Sequence, residues 1–190
     1  MNVATLLQRN SEIAKTHQPI PTFAELRAMG KEPPHVVVVT CLDPRVVPEK
    51  FLNIQLGDGV GVIRNAGGHI EPALKDIIAL DLLLRFDEIM VIHHTDCGTT
   101  HFTNEGIRKS LKARIPTKHH EIENMTFGAI DDLKQSVIDD IAILHENPYI
   151  RQELAAKTTG FIYDLKSGKL EAVKVQASSR SPCVLLSDSK

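Results

Sequence analysis

Five residues in two short stretches carry chemistry that their neighbours do not explain. Cys41, Asp43 and Arg45 occupy alternate positions at the end of an apolar run, Val36-Val37-Val38-Val39-Thr40. His94 and Cys97 stand three apart, just past a second run, Ile89-Met90-Val91-Ile92. Two thiolates and an imidazole suit zinc, and three protein donors leave a fourth position open, whereas structural zinc sites close with four. Alone, Cys41 reads as a core cysteine; with His94-x-x-Cys97 it becomes one of three candidate metal ligands. Asp43 is the obvious competitor for the fourth position. Arg45 offers that carboxylate a two-pronged hydrogen-bonding partner. In an extended segment residues 41, 43 and 45 share one side. The Asp43–Arg45 pair is then expected to draw the carboxylate off the metal and leave one oxygen to accept a proton from water. A phosphatase-like thiolate loop does not fit, because Arg45 is too close to Cys41 and Asp43 would repel a phosphate.

The elements around these residues must bring two strand ends together. Residues 36 to 41 read as a strand buried on both faces, the pattern of a central strand in a parallel sheet. In open α/β sheets, ligands bind just past the carboxyl ends of strands. Gly57-Asp58-Gly59 turns into a second strand, Val60 to Arg64, followed by the glycine loop Asn65-Ala66-Gly67-Gly68. Gly57-x-Gly59-x-Gly61 precedes its strand and so does not read as a nucleotide loop. Pro72 suits the first turn of a helix to about Phe86 that is apolar nearly all round, and so is buried in the domain or at a subunit interface. Glu88 to His93 is the third strand. His93 should face away from His94 as a hydrogen-bonded core histidine.

Further along, 103–113 reads as a basic, solvated helix, 115–128 as irregular chain, and 129–144 as an amphipathic helix. Asn147-Pro148 suggests another helix start. Lys166-Ser167-Gly168, between two apolar runs, signals a hairpin that places an antiparallel strand at the sheet edge. Upstream, residues 2–16 form a modest amphipathic helix, and Thr22 with Glu25 matches a capping box. The reading is α/β: a mostly parallel central sheet flanked by helices, with an antiparallel C-terminal edge strand and an N-terminal helical arm. It is one domain over 1–176, with the arm at 1–30 and a flexible tail at 177–190.

The composition bounds the partners. The 190 residues carry a net charge of −2, which gives no reason to expect nucleic acid or an anionic membrane. Three cysteines without disulfide-framework spacing fit a reducing compartment. With no signal-peptide pattern and no apolar run near the ~20 residues that span a bilayer, a cytoplasmic protein is expected.

Taken together, Cys41-x-Asp43-x-Arg45, Arg64-Asn65-Ala66-Gly67-Gly68 and His94-x-x-Cys97-Gly98 resemble the β-class carbonic anhydrase family, over about residues 35 to 98. The resemblance implies one Zn2+ per subunit on Cys41, His94 and Cys97, with Asp43 and Arg45 as catalytic residues. Backbone around Ala66 and Gly67 would shape a small apolar substrate pocket. It implies hydration of carbon dioxide to bicarbonate by water activated on the metal. It also implies a homodimer embraced by the N-terminal helices, or a dimer of such dimers. The His-His-Thr-Asp-Cys-Gly stretch looks like the compact branch that includes carbonyl sulfide hydrolases and, more distantly, carbon disulfide hydrolases. Carbonyl sulfide hydrolysis is therefore the alternative activity, and a non-catalytic protein with a closed zinc site the third reading. The tryptophan-containing bicarbonate side site of some members cannot be complete here, because the chain has no Trp.

Overall fold

A computed structural model describes residues 1–174. The expected tail at 177–190, and Cys183 within it, lie outside the described residues. Two helices come first, α1 (Val3–Ala14) and α2 (Phe23–Ala28). The capping box opens α2 as expected: Glu25 N–H donates to Thr22 Oγ1, and Thr22 N–H donates to the Glu25 carboxylate. Neither helix buries a residue. They form an arm with nothing of its own core to cover.

The sheet follows, with β1 (Val36–Cys41), β2 (Val60–Asn65), β3 (Glu88–His94), β4 (Thr158–Tyr163) and β5 (Leu170–Val173) in the order β2-β1-β3-β4-β5. The first four are mutually parallel and β5 is antiparallel to β4. β1 has a strand on either side, and Val37 to Cys41 are all buried. That is why its sequence is a continuous apolar run instead of an alternating one. The register pairs Val39 with Val91 and Thr40 with Ile92, so β1 and β3 end side by side. Thr40 Oγ1 donates to the Ile92 carbonyl at 2.8 Å and adds a buried link there.

The helices between strands are α3 (Pro48–Phe51), α4 (Ile70–Leu84), α5 (Asn104–Arg114), α6 (His119–Glu123), α7 (Leu133–Glu146) and α8 (Gln152–Ala156). The core joins Val37, Val39, Ile89 and Val91 of the sheet to Ile70 and Ile77 of α4 and Val137 and Ile141 of α7. Gly160 in β4 lets α7 approach closely. A Cβ there would lie 2.3 Å from Val137 Cγ1 and 2.8 Å from Ile141 Cδ1.

Two expectations are corrected and a third is met in part. Residues 115–128 are not wholly irregular: a 3-10 turn at Pro116–Lys118 leads into α6, which buries Ile122. Asn147-Pro148 does not open a helix; Asn147 Oδ1 instead accepts from Tyr149 N–H in a turn, and α8 starts at Gln152. α4 is apolar but only partly covered among the described residues: it buries Ile70, Ala73, Ile77 and Asp81, while Leu82 and Leu83 are 85% and 77% exposed.

Gly160→Val is expected to destabilise the fold by about 2 kcal/mol, the usual scale for overpacking a filled core. Urea unfolding measures it. A variant as stable as the parent would mean that α7 does not rest directly on β4.

Candidate metal centre

Three donors from two strand ends converge in the interior. Cys41 closes β1, His94 closes β3, and Cys97 follows three residues on. Their ligand atoms all lie within 4.8 Å of one another, and all three residues are buried. The two sulfurs are 3.8 Å apart. Thiolates at about 2.3 Å from a tetrahedral zinc ion are separated by about the same distance, so the pair already has the spacing of a metal edge. His94 Nδ1 donates to the Thr95 carbonyl at 2.9 Å, which leaves Nε2 as the free nitrogen. That Nε2 is buried with no well-formed hydrogen bond. A histidine oriented through one nitrogen, with the other orphaned beside two sulfurs, is arranged as a metal ligand.

Charge says the same. The Cys41 thiol is pushed up by its hydrogen bond to Cys97 and by burial. Cys97 is pulled down by the hydrogen bond from Cys41, with help from His94 and Thr99. The pair thus gives up one proton readily and holds the second. Burial works against a charged His94, but the Cys97 sulfur and the Thr95 carbonyl outweigh it and raise its pKa. A divalent cation relieves all three tensions, because it replaces the protons that the site otherwise retains.

Asp43 is not part of this cluster. Its Oδ1 accepts from Arg45 N–H at 2.8 Å and from Arg45 Nε at 3.0 Å, and its Oδ2 accepts from Arg45 Nη2 at 2.7 Å. Val46 N–H donates to the Asp43 carbonyl at 2.9 Å. The expected contact is made by a different route: the backbone turns at Pro44-Arg45, and residues 41, 43 and 45 do not share the face of an extended strand. Arg45 holds the Asp43 carboxyl down at about 2.

The glycine loop backs the site. Gly67 N–H points to the Cys41 sulfur. Gly68, at φ +82°, passes so close to β1 that a Cβ would sit 2.8 Å from Cys41 N. Ala66 lines a pocket of about 460 Å³ with Asn65, His69, Phe127 and Gly128; the three metal-donor candidates are not among its walls.

Two arrangements escaped the sequence reading. Arg64 donates to three carbonyls, Cys41 at 3.1 Å, Asp43 at 2.8 Å and Val46 at 2.6 Å, and so clamps the loop that carries Asp43 and Arg45. A cation at the end of an otherwise apolar strand was the available signal.

The second arrangement is a buried cluster of His69, His93 and Asp140. His69 Nδ1 and His93 Nε2 lie 2.9 and 3.0 Å from Asp140 Oδ2, while Ile70 N–H donates to Oδ1 at 2.8 Å. Nitrogen and oxygen ligands of a tetrahedral metal sit about 3.3 Å apart, so these separations are too short for a metal edge; the His69 contact is a hydrogen bond, whereas His93 Nε2 lies close to the carboxylate without a well-aligned one. His69 Nε2 donates to the Gly128 carbonyl, and Asp140 raises the His69 pKa. Through Asp140 the cluster ties α7 to the start of α4. His93 is, as expected, a core histidine on the far side of the strand, with Nδ1 2.7 Å from Ser136 Oγ. His101 sits largely exposed beside Asp96.

The comparisons with known proteins agree with this geometry. The family model described as carbonic anhydrase matches residues 36–170. The chain is 28% identical over 140 residues to beta-carbonic anhydrase 1 of Mycobacterium tuberculosis, covering 73% of this chain and 82% of that protein. It is 29% identical over 154 residues to carbon disulfide hydrolase of Acidianus sp., covering 70% and 74%. The crystal structure of carbonic anhydrase from Streptococcus mutans superposes with a TM-score of 0.74 at 28% identity, covering 92% of this chain and 99% of that one. An α/β fold with a Cys-His-Cys cluster at the ends of two adjacent parallel strands defines the class, and the chain belongs to the carbonic anhydrase family.

A carboxylate held below its ordinary value contributes stability that is complete above about pH 4 and is lost as pH falls toward about 2. Arg45→Ala removes that contribution. The stability gap between parent and variant in urea is therefore expected to stay constant from neutrality to about pH 5 and to narrow below about pH 4. A gap that does not narrow in acid would show that the Asp43–Arg45 pair is not formed in solution.

Proposed function

We propose that this protein is a zinc-dependent carbonic anhydrase that reversibly hydrates carbon dioxide to bicarbonate. Cys41, His94 and Cys97 would hold one Zn2+ per subunit, and Asp43 and Arg45 would act as catalytic residues. The observation that carries this reading is the open donor set: three buried ligand atoms converge while the nearby carboxylate is tied into the Arg45 fork. Zinc at such a position supplies Lewis acidity that makes water a nucleophile near neutral pH.

The chain's own groups do the rest. Arg45 keeps Asp43 off the fourth position, and Asp43, ionised throughout the neutral range, is placed to accept a proton from water. Arg64 holds the turn that aims both. The backbone at Ala66 and Gly67 would border the substrate.

A second reading has its own support, the similarity to a carbon disulfide hydrolase. In it the same site hydrolyses carbonyl sulfide to hydrogen sulfide and carbon dioxide. A closed, non-catalytic zinc site is the third reading, and Asp43's engagement with Arg45 speaks against it.

The exposed apolar faces of α1 (Leu6, Leu7, Ile13) and of α4 (Leu82, Leu83) fit a second copy of the chain, giving a homodimer or a dimer of dimers. Two free, buried thiols suit the reducing cytoplasm.

The test is a stopped-flow assay of carbon dioxide hydration run beside a sulfide-release assay on zinc-loaded protein. Fast hydration with slow sulfide release is expected, and the reverse ranking would favour the hydrolase. Arg45→Ala should lose at least about a hundredfold in kcat/KM, the scale of a removed proton acceptor, while keeping its zinc. Retained activity in that variant would contradict the role given to Arg45.

A further inference from the structure

The Arg45 guanidinium presents two edges, and both are occupied. Its Nε and Nη2 face Asp43. On the other edge, Nη1 donates to Asp96 Oδ2 at 2.7 Å, and Nη2 donates to the Asp96 carbonyl at 2.8 Å. Asp96 lies between His94 and Cys97, on the loop after β3, whereas Arg45 lies on the loop after β1. Asp96 also adopts the left-handed conformation, with φ 54°. Asp and Asn tolerate that region better than other residues with a Cβ. The loop takes up this uncommon conformation at the one position whose carbonyl and carboxylate both meet Arg45.

We infer that Asp96 is a positioning residue of the gate, clamping the far edge of Arg45 so that the near edge stays aimed at Asp43 and holds that carboxylate off the metal position. This rests on the gate described under the proposed function. The physical need is plain. The Arg45 side chain is 49% exposed, long and flexible, and ordering such a side chain costs rotamer freedom. Anchored at one edge only, it could follow Asp43 toward the metal or swing out to water. Anchored at both edges, it has one geometry, because a planar fork cannot turn without breaking paired bonds. His101 Nε2, 3.6 Å from Asp96 Oδ1, lies on the oxygen that Arg45 does not use.

The experiment uses the full chain with cobalt(II) in place of zinc and azide as the probe, at one fixed alkaline pH. Azide needs the fourth metal position, so its apparent affinity, read from the visible spectrum, reports the fraction of protein in which Asp43 is off the metal. Asp96→Asn keeps the left-handed turn and the carbonyl contact but removes the charge. Asp96→Gly removes the whole side chain without backbone strain. Azide affinity is expected to fall about fivefold in Asp96→Asn, the factor one exposed ion pair is worth. It should fall further in Asp96→Gly and most in Arg45→Ala, with metal content unchanged in all three.

Unchanged azide affinity in both Asp96 variants, with affinity lost in Arg45→Ala, would overturn the role of Asp96 and leave the gate standing. Unchanged affinity in Arg45→Ala as well would overturn the gate itself. A lower melting temperature with parental azide affinity would make Asp96 merely structural, and loss of metal from the Asp96 variants would assign it to the ligand loop; either result contradicts the inference.

Discussion

Two sulfur atoms 3.8 Å apart in the interior are the constraint on which the rest of the structure depends. Buried thiolates at that distance repel each other, and burial penalises each separately. The protein does not resolve this with a lysine or arginine inside the site. It supplies the His94 Nε2, which makes no well-aligned hydrogen bond, and the Gly67 N–H. This arrangement suits a divalent cation, and the sheet register is what creates it. Because β1 and β3 are adjacent and parallel, Cys41 and His94 end side by side, and the turn after β3 brings Cys97 back to both.

In the proposed function, the second constraint is a competition for the remaining metal position. A carboxylate two residues from a ligand would close the site if nothing restrained it. Arg45 restrains Asp43 through its side-on edge, Asp96 occupies the other edge, and Arg64 fixes the intervening backbone through three carbonyls. None of these contacts is strong singly, since surface ion pairs contribute about 1 kcal/mol or less. Their effect comes from geometry: two loops, from two strands, are tied through one planar group. The same clamp ties the candidate catalytic residues to the ends of two strands, which suits a site that must hold sub-ångström spacing.

Much of this was legible in the chain, because the signals are local or periodic. A run of four valines announces a doubly buried strand, and alternation along β3 sends His93 and His94 to opposite faces. Thr22 and Glu25 encode their own cap. The donor set could be read because cysteine and histidine at those spacings have few other uses. What could not be read depends on partners far along the chain or outside it. Asp140 meets His69 across 71 positions, and no pattern in either segment marks the pairing. α6 is too short for a period to show and forms because Ile122 finds a place in the core. The leucines of α4 are apolar, but exposure depends on what lies opposite, and among the described residues nothing covers Leu82 and Leu83. The Asp43–Arg45 contact was anticipated from an extended backbone, whereas Pro44 makes the turn that forms it.

The central claim is that metal bound here has three protein ligands and one exchangeable position, kept free by Arg45. A crystal structure of the zinc-loaded protein at alkaline pH tests it most directly. The account predicts zinc on Cys41, His94 and Cys97, a non-protein oxygen in the fourth position, and the Asp43 carboxylate still in the Arg45 fork. Zinc bound by the Asp43 carboxylate, with Arg45 released to solvent, would contradict it.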